Sequence, residues 1–185
     1  MEIKMEKYLM GLLTADGWRR SHVLKTGKEV FYCGLELKDR QILEDLSKNL
    51  NCPIGHRKRG SSESFSINIP AAKGSYYSEY LDKKRTGIYK YYLNLSQIER
   101  THFIRGFFDG DGGVCIRKRS KDQKPYISVY FVVSSSQQEI KSFLDHWLKE
   151  NNVKFSIYHD QRGQGVYNYN LSKAPEVKRF YSLIY

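Results

Sequence analysis

The sequence is short of several features that place chains in common classes. No run approaches the roughly 18 apolar residues needed to cross a bilayer, so no membrane partner is expected. The start, "MEIKMEKYLMGLL", lacks the basic n-region and small-residue cleavage site of a signal peptide. There are three cysteines, Cys33, Cys52 and Cys115, odd in number and without metal-ligand spacing. Reduced, buried thiols and an intracellular setting are the expectation. The five histidines, His22, His56, His102, His146 and His159, form no ligand pair. Acidic residues are the scarcer sign, 20 against 31 Lys and Arg, for a net charge of +11. Such an excess implies a polyanionic partner, and 15 tyrosines interleaved with basic residues favour nucleic acid over a membrane surface.

What is present is an internal repeat. "LMGLLTADG", Leu9 to Gly17, returns as "IRGFFDGDG", Ile104 to Gly112, 95 residues later. The segments after the two copies also match in kind. Phe31, Cys33, Leu35 and Leu37 recur at every second position within Lys28 to Lys38, as do Ile127, Val129, Phe131 and Val133 within Tyr126 to Ser134, the period of half-buried antiparallel strands. A helix is expected from Asp39 and another from Ser136, where Ser136 and Glu139 suggest a capping box. Each half then has two further strands, "IGHRKRG" with "SFSINIP" and "VKFSIYHD" with "VYNYNLS". Helices over 73–81 and 174–184 close the halves. Ser96 and Glu99 offer another capping box before the second motif. The chain therefore reads as α+β, two αββαββα halves spanning 1–81 and 96–185, joined by a connection over 82–95.

An antiparallel sheet with helices on one face leaves the other face open, and a basic β surface fits the DNA major groove. The candidate DNA contacts in the first half are Arg19, Arg20, His22, Lys28, Tyr32 and Lys38 on the first hairpin, then Arg57, Lys58, Arg59, Ser66 and Asn68 on the second. In the second half they are Arg117, Arg119, Ser128 and Tyr130, then Lys154, Tyr158, Arg162, Asn168 and Asn170.

Each motif begins as an amphipathic helix and ends in an aspartate followed by glycine. Gly11 and Ala15 share one helix face, as do Gly106 and Gly110, and small residues four apart let two helix backbones approach closely. Packing one copy on the other brings Asp16 and Asp111 together at the negative ends of two helices, where like charges repel. A hard divalent cation makes sense of that cluster, since Mg²⁺ takes carboxylates and phosphate oxygens. Asp109 to Gly113 is not an EF-hand loop: the fifth, sixth and twelfth positions are Gly113, Val114 and Ser120.

On these two copies, the chain resembles the LAGLIDADG homing endonucleases of the monomeric, double-motif type. The resemblance implies site-specific double-strand cleavage of DNA at a long asymmetric site, leaving 3′ overhangs. Mg²⁺ is the implied cofactor, with Mn²⁺ substituting and Ca²⁺ binding without turnover. Asp16 and Asp111 stand at the motif's metal-binding acid, and Ala15 and Gly110 offer backbone carbonyls beside them. Lys38 stands where the family places a basic or polar catalytic residue after the second strand; the second half has Ser134 and Ser135 there. Lys90, before the second motif, is the other catalytic candidate. The resemblance makes Asp109 a helix-end residue rather than a ligand. An intron RNA maturase with the same fold is the alternative it leaves open.

Overall fold

The computed structural model describes residues 3–69, 77, 81, 87–118 and 124–185. The expected 73–81 helix lies outside these apart from Tyr77 and Leu81, both buried; Arg119 also lies outside them. The first half runs α1 (Ile3–Asp16), β1 (Gly17–Val23), β2 (Glu29–Leu37), α2 (Arg40–Leu50), β3 (Ile54–Arg59) and β4 (Ser62–Ile69). A short helix in the connection, α3 (Ile88–Leu93), leads to α4 (Gln97–Asp111), β5 (Gly112–Arg117) and β6 (Tyr126–Ser134). Then come α5 (Gln138–Glu150), β7 (Ser156–Asp160), β8 (Val166–Leu171) and α6 (Ala174–Ile184).

The strands form two four-stranded antiparallel sheets ordered β1-β2-β4-β3 and β5-β6-β8-β7. In each, the last strand enters the middle beside the second, so β2 and β6 are paired on both sides. Those strands carry the buried rows Cys33, Leu35, Leu37 and Val129, Phe131, Val133 on the helix-covered face. The expected alternation therefore holds, except that Ile127, near the hairpin end, is exposed.

The motif helices depart from the amphipathic expectation. Leu9, Met10, Leu12 and Leu13 are all buried on α1, and Phe103, Ile104, Phe107 and Phe108 on α4. Four buried residues within one turn and a half cover most of each helix there, with Arg105 the partly exposed position on α4, because each helix packs on its neighbour and on its own half's core. Phe103 and Phe107 meet the Phe143 ring edge-to-face, at 5.2 Å each, and Phe108 meets Phe131 and Phe180. Glycine makes the contact between α1 and α4. A Cβ on Gly11 would lie 2.0 Å from the Phe103 carbonyl oxygen; one on Gly106 would lie 2.0 Å from that of Tyr8. The two contacts are the same contact under a twofold that exchanges the halves.

Caps set the helix starts. Asp39 accepts from the Gln41 amide at 2.9 Å, and Glu99 accepts from the Ser96 amide at 2.8 Å as a capping box. The second box is not formed. α5 begins at Gln138, the Ser136 hydroxyl meets Ser134, and Glu139 instead accepts from the Gly87 and Tyr89 amides, both at 3.0 Å. Orphan donors at the start of α3 thus capture the carboxylate from across the fold. Replacing Gly11 or Gly106 by alanine is expected to destabilise the protein by about 1–3 kcal/mol or more in denaturant unfolding, since the obstructing atoms are backbone.

Candidate functional site

Each motif helix passes into a strand without a loop: Asp16 ends α1 and Gly17 starts β1, Asp111 ends α4 and Gly112 starts β5. The glycine serves space rather than a left-handed cap. Gly112 has extended backbone, φ −87 and ψ 173, but a Cβ on it would lie 2.1 Å from the Phe108 ring. A Cβ on Gly17 would lie 2.2 Å from the Leu13 carbonyl oxygen. The helix can therefore turn into the strand within one residue, which holds each aspartate at the seam between helix layer and sheet.

The two seams adjoin. A Cβ on Gly110 would sit 2.4 Å from the Cβ of Ala15 and 3.4 Å from Asp16 Oδ2. One half's carboxylate thus stands against the backbone that leads into the other half's Asp111. Asp16 is exposed and Asp111 half-buried, so water and ligands reach the pair. The last turn of a helix also directs main-chain carbonyls outward, and Ala15 and Gly110 occupy that turn in each half. Among the described residues there is no group of three or more His, Cys, Asp or Glu suited to a metal. The donor set is two carboxylates with helix-end carbonyls, an all-oxygen set that fits a hard divalent cation completed by other ligands.

Asp109 is turned away from this pair. It accepts from Tyr8 Oη at 2.8 Å and from the Tyr185 hydroxyl, with Arg105 Nε at 4.0 Å. Burial, then the Asp109 charge, push both phenols far above their ordinary pKa. With Lys4, His102 and Arg105 it lines a cleft of about 420 Å³. It is a clamp joining α1, α4 and Tyr185.

Lys38 is exposed and lines a depression of about 370 Å³ with Glu36, Arg59, Ser62 and Ser64. Because Gly17 pairs with Leu35, Asp16 enters the sheet beside Glu36, two residues from Lys38. In the other half Gly112 pairs with Phe131, which puts Ser134 where Lys38 stands. Lys90 does not join the pair. Its neighbours Tyr91 and Tyr92 pack on Phe103, and Lys7 Nζ lies 3.2 Å from Tyr91 Oη. Lys90 therefore sits at the level of Lys7 and Phe103, about eight or nine residues, some ~12 Å, back along the motif helices from Asp16 and Asp111.

Residues 99–185 match the family model described as a LAGLIDADG-like domain. Comparison with curated proteins gives no match. The fold is that of solved homing endonucleases. I-DmoI in complex with DNA and Ca superposes with a TM-score of 0.64 at 18% identity, covering 98% of this chain and 89% of that one. I-SmaMI bound to uncleaved DNA target in the presence of calcium ions gives 0.63 at 15% identity, over 100% of this chain and 85% of that one. The LAGLIDADG meganuclease I-AabMI bound to uncleaved DNA gives 0.59 at 16% identity, over 99% and 83%. The family-model match covers the second half, and the chain as a whole shares the fold of these homing endonuclease structures.

Strand register sorts the candidate contacts of this chain by face, because directly paired residues share a face. On the helix-free face of the first sheet lie Arg20 with Tyr32, His22, Asn68, Ser66, Arg57 and Arg59; Lys28 and Lys38 flank β2 with the same parity. Arg19 and Lys58 are not on that face. Arg19 pairs with buried Cys33, and its guanidinium lies 4.4 Å from the Phe31 ring centroid; Lys58 pairs with Glu63 between the inward-facing rows. Two arginines adjacent in a strand cannot both face one side. On the second sheet Arg117, Ser128, Tyr130, Asn168, Asn170 and Tyr158 share the helix-free face. Lys154 precedes β7, and Arg162 lies beyond it, Nη2 2.6 Å from Asp160.

Trp18, Glu36 and Val132 also stand on these faces, though none is among the contacts expected from sequence. Glu36 accepts from Ser64 Oγ at 2.7 Å and lies 3.6 Å from Arg57. The β2 alternation already places it outward, and its negative sign is what hides it. Cys115 is also a correction: it is half-buried on the helix-free face, with Arg117 Nε 3.1 Å from Sγ, while Cys33 and Cys52 are buried. Burial pushes the Cys33 thiol up to about 11, so it stays protonated at neutral pH. Iodoacetamide is expected to label Cys115 and spare Cys33 in the folded protein, read by peptide mass analysis. Asp109→Ala is expected to cost about 1–3 kcal/mol in thermal unfolding, by leaving part-buried phenols unsatisfied.

Proposed function

We propose that the protein is a site-specific, divalent-metal-dependent DNA endonuclease that acts as a monomer and cuts both strands of a duplex. The observation that carries this reading is that Asp16 lies against the backbone at Gly110, one residue before Asp111, at adjoining helix ends that lead into two sheets whose helix-free faces carry basic and amide side chains. One chain supplies both carboxylates, so no second copy is needed to complete the pair. The named neighbours support the reading: I-DmoI is described in complex with DNA and Mn, and I-SmaMI and I-AabMI with uncleaved DNA.

Asp16 and Asp111 hold the cation, Mg²⁺ in this reading, with Ala15 and Gly110 carbonyls at hand. Bound there, it supplies Lewis acidity to the scissile phosphate and lowers the pKa of water. The chain's own residues do the rest. The glycine-packed helices fix the spacing of the two carboxylates, so each strand's phosphate meets one of them. Lys38 places a positive charge beside the first seam, where negative charge grows on the phosphate as water attacks. Ser134, its counterpart, brings no charge, so the strand beside Asp111 is cut more slowly. Arg20, Arg57 and Arg59 hold the duplex through phosphates and base edges.

Asp16→Asn and Asp111→Asn are each expected to lower double-strand cleavage by roughly 10²–10³-fold or more while duplex binding survives, measured on supercoiled plasmid and by gel shift. Undiminished cutting by both variants overturns the assignment. Lys38→Ala is expected to slow nicking of one strand in strand-resolved gels, with Lys90→Ala unchanged. Binding should fall roughly 10³-fold or more between 50 and 200 mM salt by counterion release.

A further inference from the structure

The two helix-free faces differ in chemistry. On the first sheet the strands present Arg20, Arg57 and Arg59, with Glu36 among them. These side chains are positioned. Arg20 lies 5.3 Å from the Trp18 ring centroid, beside a cleft of about 560 Å³ lined by His22, Tyr32 and Asn68. Arg57 lies 3.6 Å from Glu36, which Ser64 holds by a 2.7 Å hydrogen bond. Arginine reads guanine O6 and N7 with two bonds, and a carboxylate accepts from cytosine N4. The Arg57–Glu36 pair, which reaches across β4 from β3 to β2, thus offers both halves of a G·C reader.

On the second sheet Arg117, on the edge strand β5, is the cation that the described strands present on this face, against three arginines on the first. β8 presents Asn168 and Asn170, flanked by Tyr130 and Val132 of β6 and by Ser156 and Tyr158 of β7. Tyr158 is 65% exposed and Val132 44%, so both offer apolar surface. Ser128, fully buried, donates to Asn170 Oδ1 at 3.2 Å. That bond fixes the amide plane and leaves one lone pair and both Nδ2 hydrogens. Asparagine reads adenine N6 and N7 with two bonds, and apolar side chains meet the thymine methyl.

From this division we infer that the DNA target is asymmetric in composition: the half-site beneath the first sheet is read at G·C pairs, and the half-site beneath the second at A·T pairs. Asn168 and Asn170 are the specificity-determining residues of the second half, and Ser128 is a positioning residue for Asn170. The inference rests on the DNA-endonuclease reading above and adds the sequence class of its substrate.

Selection from a duplex library randomised across both half-sites tests it, using the intact chain without divalent cation so that capture reads binding alone. Selected duplexes should carry fixed G·C pairs in one half and fixed A·T pairs in the other. Arg57→Ala should relax only the G·C half, and Asn168→Ala only the A·T half, each by roughly 5- to 150-fold in discrimination at the contacted pair. Ser128→Ala should relax preference at one A·T position while the rest of the selected sequence stays unchanged. Enriched duplexes with the same composition in both halves overturn the inference alone, as does an Asn168 variant that selects the wild-type sequence. A library from which nothing is enriched overturns the inference together with the nuclease reading.

Discussion

The structure depends on the approach of two helix backbones to a distance that only glycine allows. Gly11 lies against the Phe103 carbonyl and Gly106 against that of Tyr8, and any side chain at either place would collide with main chain rather than with something that can move aside. That approach produces the other central facts. The helices end side by side, Gly110 meets Ala15, and Asp16 stands against the backbone that leads into Asp111. Like charges at two negative helix ends are unfavourable alone. The packing that brings the two helix ends together works against that repulsion, and the aromatic core around Phe103, Phe107 and Phe108 offsets it.

The same repeat has diverged where its symmetry is not needed. One motif position is Thr14 in the first copy and Asp109 in the second. Thr14 is buried and donates back to the Met10 carbonyl at 2.8 Å, while Asp109 gathers two phenols and the C-terminus. The place after the second strand is Lys38 in one half and Ser134 in the other. The helix-free faces differ as well: Arg20, Arg57 and Arg59 with Glu36 stand on one, and Asn168 and Asn170 with Arg117 on the other. Symmetry is kept where the halves meet and lost on the open faces of the sheets.

Much of the fold is legible in the sequence because it rests on local periodicity. The alternation through Cys33, Leu35 and Leu37, and through Val129, Phe131 and Val133, marks the core face whatever the rest of the chain does. Asp39 and Ser96 mark helix starts because their caps close within a few residues. Glu139 misleads for the same reason in reverse: its partners, the Gly87 and Tyr89 amides, are some 50 residues away. Arg19 and Arg20 look alike in a basic stretch, and strand pairing separates them. Lys90 looks close to the motif in sequence, yet the length of α4 carries Asp111 away from it.

By itself the sequence determined which residues recur, which strand faces are apolar, and that two glycine-bearing helices each end in an aspartate. Those are properties of spacing, and spacing survives without coordinates. Only the tertiary structure decided the strand order, with β4 and β8 entering the middle of their sheets, and with it which side chains share the helix-free face. It also decided that Asp16 meets the backbone beside Asp111 while Asp109 turns away. Such choices depend on which distant backbones pack together, and one residue of register, or one step around a helix, sends a side chain to the opposite face.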